Sequence, residues 1–113
     1  EELGTIMEQQ APLKMVLLNN NYLGNVRQWQ DLMFNHRRSF TRMLNPYYQR
    51  IAEGYGIAYD VVTDRADLKA KVERMLASDG PYILECAVKE EENVTPMITP
   101  GSSIDEMKLH LDI

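Results

Sequence analysis

The chain has 113 residues, 44% hydrophobic and 26% charged, a composition that suits one small globular domain. Its 12 Lys and Arg against 17 Asp and Glu give a net charge of -5, which argues against the basic footprint that a nucleic-acid backbone requires. A lone cysteine, Cys86, allows no disulfide within the chain and fits a reducing cytoplasm, and no segment approaches the ~18 apolar residues of a membrane span.

The first residues, EELGTIMEQQAP, place Leu3, Ile6 and Met7 at helical spacing, and Ala11-Pro12 stops the pattern. With no Met and no capping residue at its start, the chain reads as a piece cut from a longer protein. Leu13 to Leu18 (LKMVLL) is a nearly continuous apolar run, expected as a strand buried on both faces of a parallel sheet. It ends in Asn19-Asn20-Asn21. The following YLGNVRQWQDLMF sets Val26, Trp29, Leu32 and Met33 on one helical stripe. The basic cluster His36, Arg37, Arg38 and Arg42 reads as a solvated loop. Asn45-Pro46 then predicts a helix start, with Asn as the cap and Pro at the first position. Its stripe is Tyr48, Ile51, Ala52 and Tyr55, and Gly54 and Gly56 end it.

Ile57 to Val62 (IAYDVV) predicts a second strand, and Thr63 or Asp64 caps a helix with the stripe Leu68, Val72, Met75 and Leu76. Ser78-Asp79-Gly80-Pro81 stops that helix, and Tyr82 to Val88 (YILECAV) is the third strand. Glu85 within it is expected to be structural, and His36 and His110 to face solvent. The organisation expected is an α/β core over residues 1–88, a parallel-sheet βαβαβ unit forming half of a doubly wound domain, then an irregular tail over 89–113.

The asparagine row is the unusual feature. In an open parallel sheet, ligands bind outside the carboxyl ends of the strands, where these asparagines stand. One reading is a turn, since Asn tolerates left-handed backbone. The other is an oxygen ligand for a hard cation such as magnesium, which shares its octahedron with substrate phosphates.

The residues ELGTI, LLNNNYLGNVRQWQ, LNPYYQRIAEGYGI, SDGPYILECAV and ENVTPMITPGSSIDEM resemble, over essentially the whole chain, the catalytic subunits of the acetolactate (acetohydroxyacid) synthases. These are thiamine-diphosphate enzymes whose cofactor motif opens with Gly-Asp-Gly and closes with Asn-Asn, here Asn19-Asn20. The resemblance implies the C-terminal part of the thiamine-diphosphate-binding domain. It implies Mg2+ bound by the Asn20 side-chain oxygen and the Tyr22 main-chain carbonyl, with Leu23 and Gly24 beside the diphosphate. It also implies a substrate and inhibitor entrance at Asn25, Val26, Trp29, Pro100 and Gly101. Trp29 would favour 2-oxobutanoate as acceptor, while on the residues alone it reads as helix core. Asn25 departs from the Met that many members carry there, which puts inhibitor sensitivity in question.

The activity implied is condensation of two pyruvates, or of pyruvate and 2-oxobutanoate, with loss of CO2, in branched-chain amino-acid (isoleucine and valine) biosynthesis. The full-length protein would be a homo-oligomer acting on 2-oxo acids, with FAD held by a domain absent here and a regulatory small subunit as a further partner. No residue of this chain is assigned a catalytic proton-transfer role, and with the Gly-Asp-Gly aspartate and half of the cofactor pocket missing the isolated chain is expected to be inactive. Another thiamine-diphosphate carboligase or decarboxylase, or a non-catalytic α/β interaction module, is the alternative.

Overall fold

A computed structural model describes residues 2–110, which carry three parallel strands, four helices and two short 3-10 turns. In chain order these are α1 (Leu3–Gln9), β1 (Lys14–Asn19), α2 (Gly24–Met33), α3 (Tyr48–Gly54), β2 (Ala58–Val62), a 3-10 turn at Arg65–Asp67, α4 (Leu68–Ala77), β3 (Tyr82–Ala87) and a second 3-10 turn at Ile104–Glu106. The described residues divide into two compact units, one of residues 2–20 and 45–88, the other of 21–44 and 89–110.

The first unit is an α/β layer structure. Its sheet has the order β1-β3-β2, with Lys14 opposite Tyr82, Asn19 opposite Ala87, Ala58 opposite Tyr82 and Val62 opposite Cys86. Because successive strand residues point to opposite faces, β3 feeds two cores. Tyr82, Leu84 and Cys86 join Val62 and Met75, with Val72 packed alongside. Ile83 instead joins Ile6, Ala52 and Ile57, with Leu3, Met15, Tyr55 and Tyr59 around them. Thus α4 covers one face, and α1 and α3 cover the other.

The predicted strands fall within a residue of those observed, but the burial assigned to the first does not hold. β3, not β1, is central, and β1 is an outer strand whose Val16 and Leu18 are 54% and 69% exposed. Among the described residues no strand pairs with its far edge. Beside it lies an apolar hollow of about 280 Å³, lined by Leu3, Met15, Leu17, Tyr48, Ile51 and Ile83 among others.

Helix ends follow local chemistry. Gln10, at φ 50°, closes α1 with its backbone N–H on the Ile6 and Met7 carbonyls. Gly56, at φ +63°, takes the left-handed position after α3 that favours glycine. Asp64 caps the Arg65–Asp67 turn by accepting from the Ala66 N–H at 2.9 Å, and α4 continues from it. Lys14 Nζ reaches back to the Ser78 carbonyl at 2.6 Å and also to that of Gly80, tying the start of β1 to the turn before β3. The expected Asn45 cap is not formed. α3 begins at Tyr48 without a side-chain cap, its capping position is Tyr47, and the Asn45 Nδ2 donates to Asn19 Oδ1.

In the second unit α2 reverses the predicted stripe. Arg27, Gln28 and Asp31 are buried, Val26 and Met33 are exposed, and Trp29 and Leu32 are half-buried. Gln28 and Asp31 are hydrogen-bonded within the same unit, which offsets their burial, whereas Arg27 stacks on the Tyr22 ring and its Nε makes no hydrogen bond. The segment after Val88 is likewise more ordered than an irregular tail. It doubles back through an antiparallel bridge between Met97 and Lys108, and Ser103 and Glu106 form a capping box on the 3-10 turn between.

Candidate functional site

At the carboxyl end of the sheet, the first unit holds a chain of polar side chains built around Asn19. Its Nδ2 donates to Glu85 Oε1 at 2.7 Å, and its Oδ1 accepts from Asn45 Nδ2 at 2.8 Å. The Tyr59 hydroxyl donates to the second Glu85 oxygen in a short hydrogen bond. Burial, and then the bond and charge of Glu85, push the Tyr59 phenol above its ordinary range. The Asn19 carbonyl also accepts from the Val88 N–H at 3.0 Å. Asn20 follows directly, half-buried, as the last residue of this unit's first segment. Glu85, expected to be structural, is the hub of a polar brace.

The second unit opens with Asn21 at φ 57°, a left-handed conformation that Asn tolerates. Met43 N–H donates to the Asn21 carbonyl and Leu23 N–H to the Thr41 carbonyl, both at 2.8 Å, framing a Tyr22–Arg42 antiparallel bridge. In that geometry the Tyr22 carbonyl points to the opposite side of its strand. Leu23 and Gly24 then open α2. No side chain caps this end, and the first amides of a helix have no intrahelical acceptor, so they are directed at whatever anion approaches. Arg27 is buried with its guanidinium 4.9 Å from the Tyr22 ring centroid, a cation–π contact.

Further along α2, Asn25 and Val26 are exposed and Trp29 is half-buried. Asp31 is buried and bound by both Arg38 Nε, at 2.7 Å, and Arg38 Nη2, at 2.9 Å, with His36 Nδ1 3.4 Å away. The Arg38 hydrogen bonds hold the Asp31 carboxyl below the usual range against the opposing effect of burial. The basic cluster is thus only partly a solvated loop: Arg38 anchors it. Pro100 and Gly101 lie exposed at the tip of the C-terminal loop, where Gly101 takes φ +86°.

Among the described residues no group of three or more His, Cys, Asp or Glu converges on a metal-binding geometry. A hard cation held by this chain would draw on amide and carbonyl oxygens rather than on such a cluster. The uncapped α2 end suits a phosphate group.

Residues 1–86 match the thiamine pyrophosphate enzyme, C-terminal TPP binding domain, and the chain belongs to that family. Its relatives are acetolactate synthase large subunits. That of isozyme 2 from Escherichia coli is 45% identical over 108 residues, 95% of this chain and 20% of the relative. The large subunit of Porphyra purpurea is 38% identical over 109 residues, 95% of this chain and 18% of the relative. The chain therefore spans about a fifth of the length of the curated relatives it matches. A thiamine diphosphate-dependent 4-hydroxybenzoylformate decarboxylase from Rhodococcus jostii shares the fold. Its TM-score is 0.69 at 22% identity, over 80% of this chain and 17% of that one.

The resemblance seen in the sequence thus holds at the level of family and fold. Sequence reading missed the Asn19–Glu85–Tyr59 brace and the Asp31–Arg38 pair. The partners in the first lie 26 or more residues apart, and nothing in local pattern signals them. The second pair, seven residues apart, was within reach of a charge-pairing argument.

Proposed function

We propose that this chain is the cofactor-diphosphate part of an acetolactate synthase, which joins two 2-oxo acids with loss of CO2. The observation that carries this reading is the 45% identity to an acetolactate synthase large subunit across nearly the whole chain. Thiamine diphosphate, when bound, supplies the chemistry that removes CO2 from pyruvate and joins the remaining two-carbon unit to a second 2-oxo acid.

The residues of this chain anchor and orient. Asn20 Oδ1 and the Tyr22 carbonyl would hold Mg2+, two neutral oxygens that complete a shell whose charge the diphosphate balances. Leu23 and Gly24 would present the first α2 amides to the diphosphate. Asn19, fixed by Glu85 and Asn45, holds the strand end from which Asn20 projects. Asn25, Val26, Trp29, Pro100 and Gly101 would border the entrance through which the acceptor acid arrives. FAD, a homo-oligomeric assembly and a regulatory small subunit belong to this reading through the remainder of the enzyme. A cytoplasmic location is supported by the lone, buried Cys86.

The test is Asn20→Ala in the full-length enzyme. With one of six oxygens replaced by water, calorimetry should show Mg2+ and thiamine diphosphate affinity falling together, and acetolactate formation falling with them. If both affinities stay at the parent value, Asn20 is a turn residue and the proposed metal site is wrong.

A further inference from the structure

Gln28 is 2% exposed, yet its carboxamide is used at both ends on one distant residue. Its Oε1 accepts from the Val94 N–H at 2.7 Å and its Nε2 donates to the Val94 carbonyl at 3.0 Å. The same Nε2 lies 3.0 Å from Met97 Sδ. This is the pair of bonds that a neighbouring β-strand would make to residue 94, supplied instead by one side chain of α2. Only a carboxamide carries a donor and an acceptor side by side. A carboxylate could accept but not donate, and Lys or Arg could donate but not accept. The Val94 side chain is 64% exposed, so the backbone bonds, not apolar packing, hold this point of the chain.

What is held there is the root of a closed loop. Met97 N–H donates to the Lys108 carbonyl at 3.0 Å, and Lys108 N–H returns to the Met97 carbonyl at 2.8 Å. Between them, Ser102 N–H donates to the Thr99 carbonyl at 3.0 Å, and the Thr99 and Ser102 hydroxyls meet at 2.8 Å. Pro100 and Gly101 form the tip of this turn. Gln28 therefore fixes the base of the loop, and the next residue on α2 is Trp29.

We propose that Gln28 is a positioning residue for acceptor selection: it fastens the 97–108 loop to α2 and so sets Pro100 and Gly101 relative to Trp29. This rests on the reading of those residues as the acceptor entrance. Gln28 touches no reacting group in this scheme and acts through the loop.

The experiment uses the full-length enzyme with Gln28→Glu, which keeps the acceptor for Val94 N–H but repels its carbonyl, and Gln28→Met, which keeps the volume and loses both bonds. Either variant that folds, judged by circular dichroism, serves. Amide exchange at Val94, Met97 and Lys108 should quicken roughly tenfold or more, as expected for loss of a buried hydrogen-bonded pair. The KM for the acceptor acid and the 2-oxobutanoate-to-pyruvate product ratio should shift severalfold, with kcat for pyruvate consumption changing less. Trp29→Leu is measured alongside. Unchanged exchange at Val94 overturns the proposal. Quickened exchange with an unmoved product ratio overturns it alone if Trp29→Leu does move that ratio. If neither variant moves the ratio, the entrance reading falls and takes the proposal with it.

Discussion

Asp31→Asn offers a quantitative test of the second unit. The carboxylate is buried, at 3% side-chain exposure, while Arg38 is 41% exposed. Two hydrogen bonds of 2.7 and 2.9 Å join them. An Asn at 31 can accept from one Arg38 N–H, but its amide nitrogen then faces the other, a donor against a donor. Breaking a fully buried ion pair costs about 3–5 kcal/mol, because a charge is stranded. Here Arg38 can turn to water, so the smaller value for hydrogen bonds to a charged group, about 1.5–3 kcal/mol, applies. That corresponds to roughly 10- to 150-fold faster exchange at the amides this loop protects. The reporters are Arg37 N–H, bonded to the Phe34 carbonyl at 3.1 Å, and Arg38 N–H, bonded to the His36 carbonyl at 2.8 Å. The sign with pH is fixed as well. The folded-state carboxyl titrates below its ordinary value, so its contribution is full above about pH 4 and fades as pH falls through the folded-state pKa. The advantage of the parent over Asp31→Asn should shrink along that descent. Equal protection of parent and variant at pH 7 would refute the reasoning.

Glu85→Leu removes the acceptor for both Asn19 and Tyr59. It should lower stability by about 1–3 kcal/mol in a denaturant titration and bring the Tyr59 phenol back toward its ordinary range in an ultraviolet pH titration. An unchanged midpoint would leave the brace without energetic weight. Trp29→Leu in the full-length enzyme should erode the preference for 2-oxobutanoate over pyruvate, since one methylene in an apolar pocket carries roughly 10- to 200-fold of discrimination. A fall in melting temperature with the product ratio intact would make Trp29 packing alone.

Elements with a strong local period were legible in the sequence, and their arrangement was not. LKMVLL, IAYDVV and YILECAV are strands because short apolar runs bounded by Gly, Pro and Asn leave little else to form. Which of them is central depends on pairings across the chain, so LKMVLL reads as a two-sided buried strand yet lies at the outside of this sheet. On α2 the period was right and the face wrong. Buried Gln28 is satisfied by a partner 66 residues away that no local window contains. Buried Asp31 is satisfied by Arg38, seven residues on, which an apolar stripe does not weigh. Asn45 shows the same limit: the capping position is Tyr47 instead, and the Asn45 amide is used on Asn19, 26 residues away. The proposed metal ligands came from a resemblance carried by a run of residues. The polar brace around Asn19 needed coordinates.

The outer position of β1 has a colloidal consequence. Along its far edge the strand presents N–H and C=O groups at the spacing of a ladder, and Val16 and Leu18 add exposed apolar surface. Such an edge is a template for another extended segment, and natural sheets blunt theirs with mid-strand charges or prolines. KMVLLN carries its one charge at the first position, and Lys14 is tied to the Ser78 carbonyl. When this polypeptide is handled by itself, a second copy can add to the same edge. Mutual repulsion from the net charge of -5 is what opposes that. Raising the salt shortens the screening length and weakens that repulsion, so light scattering should report more association at higher salt.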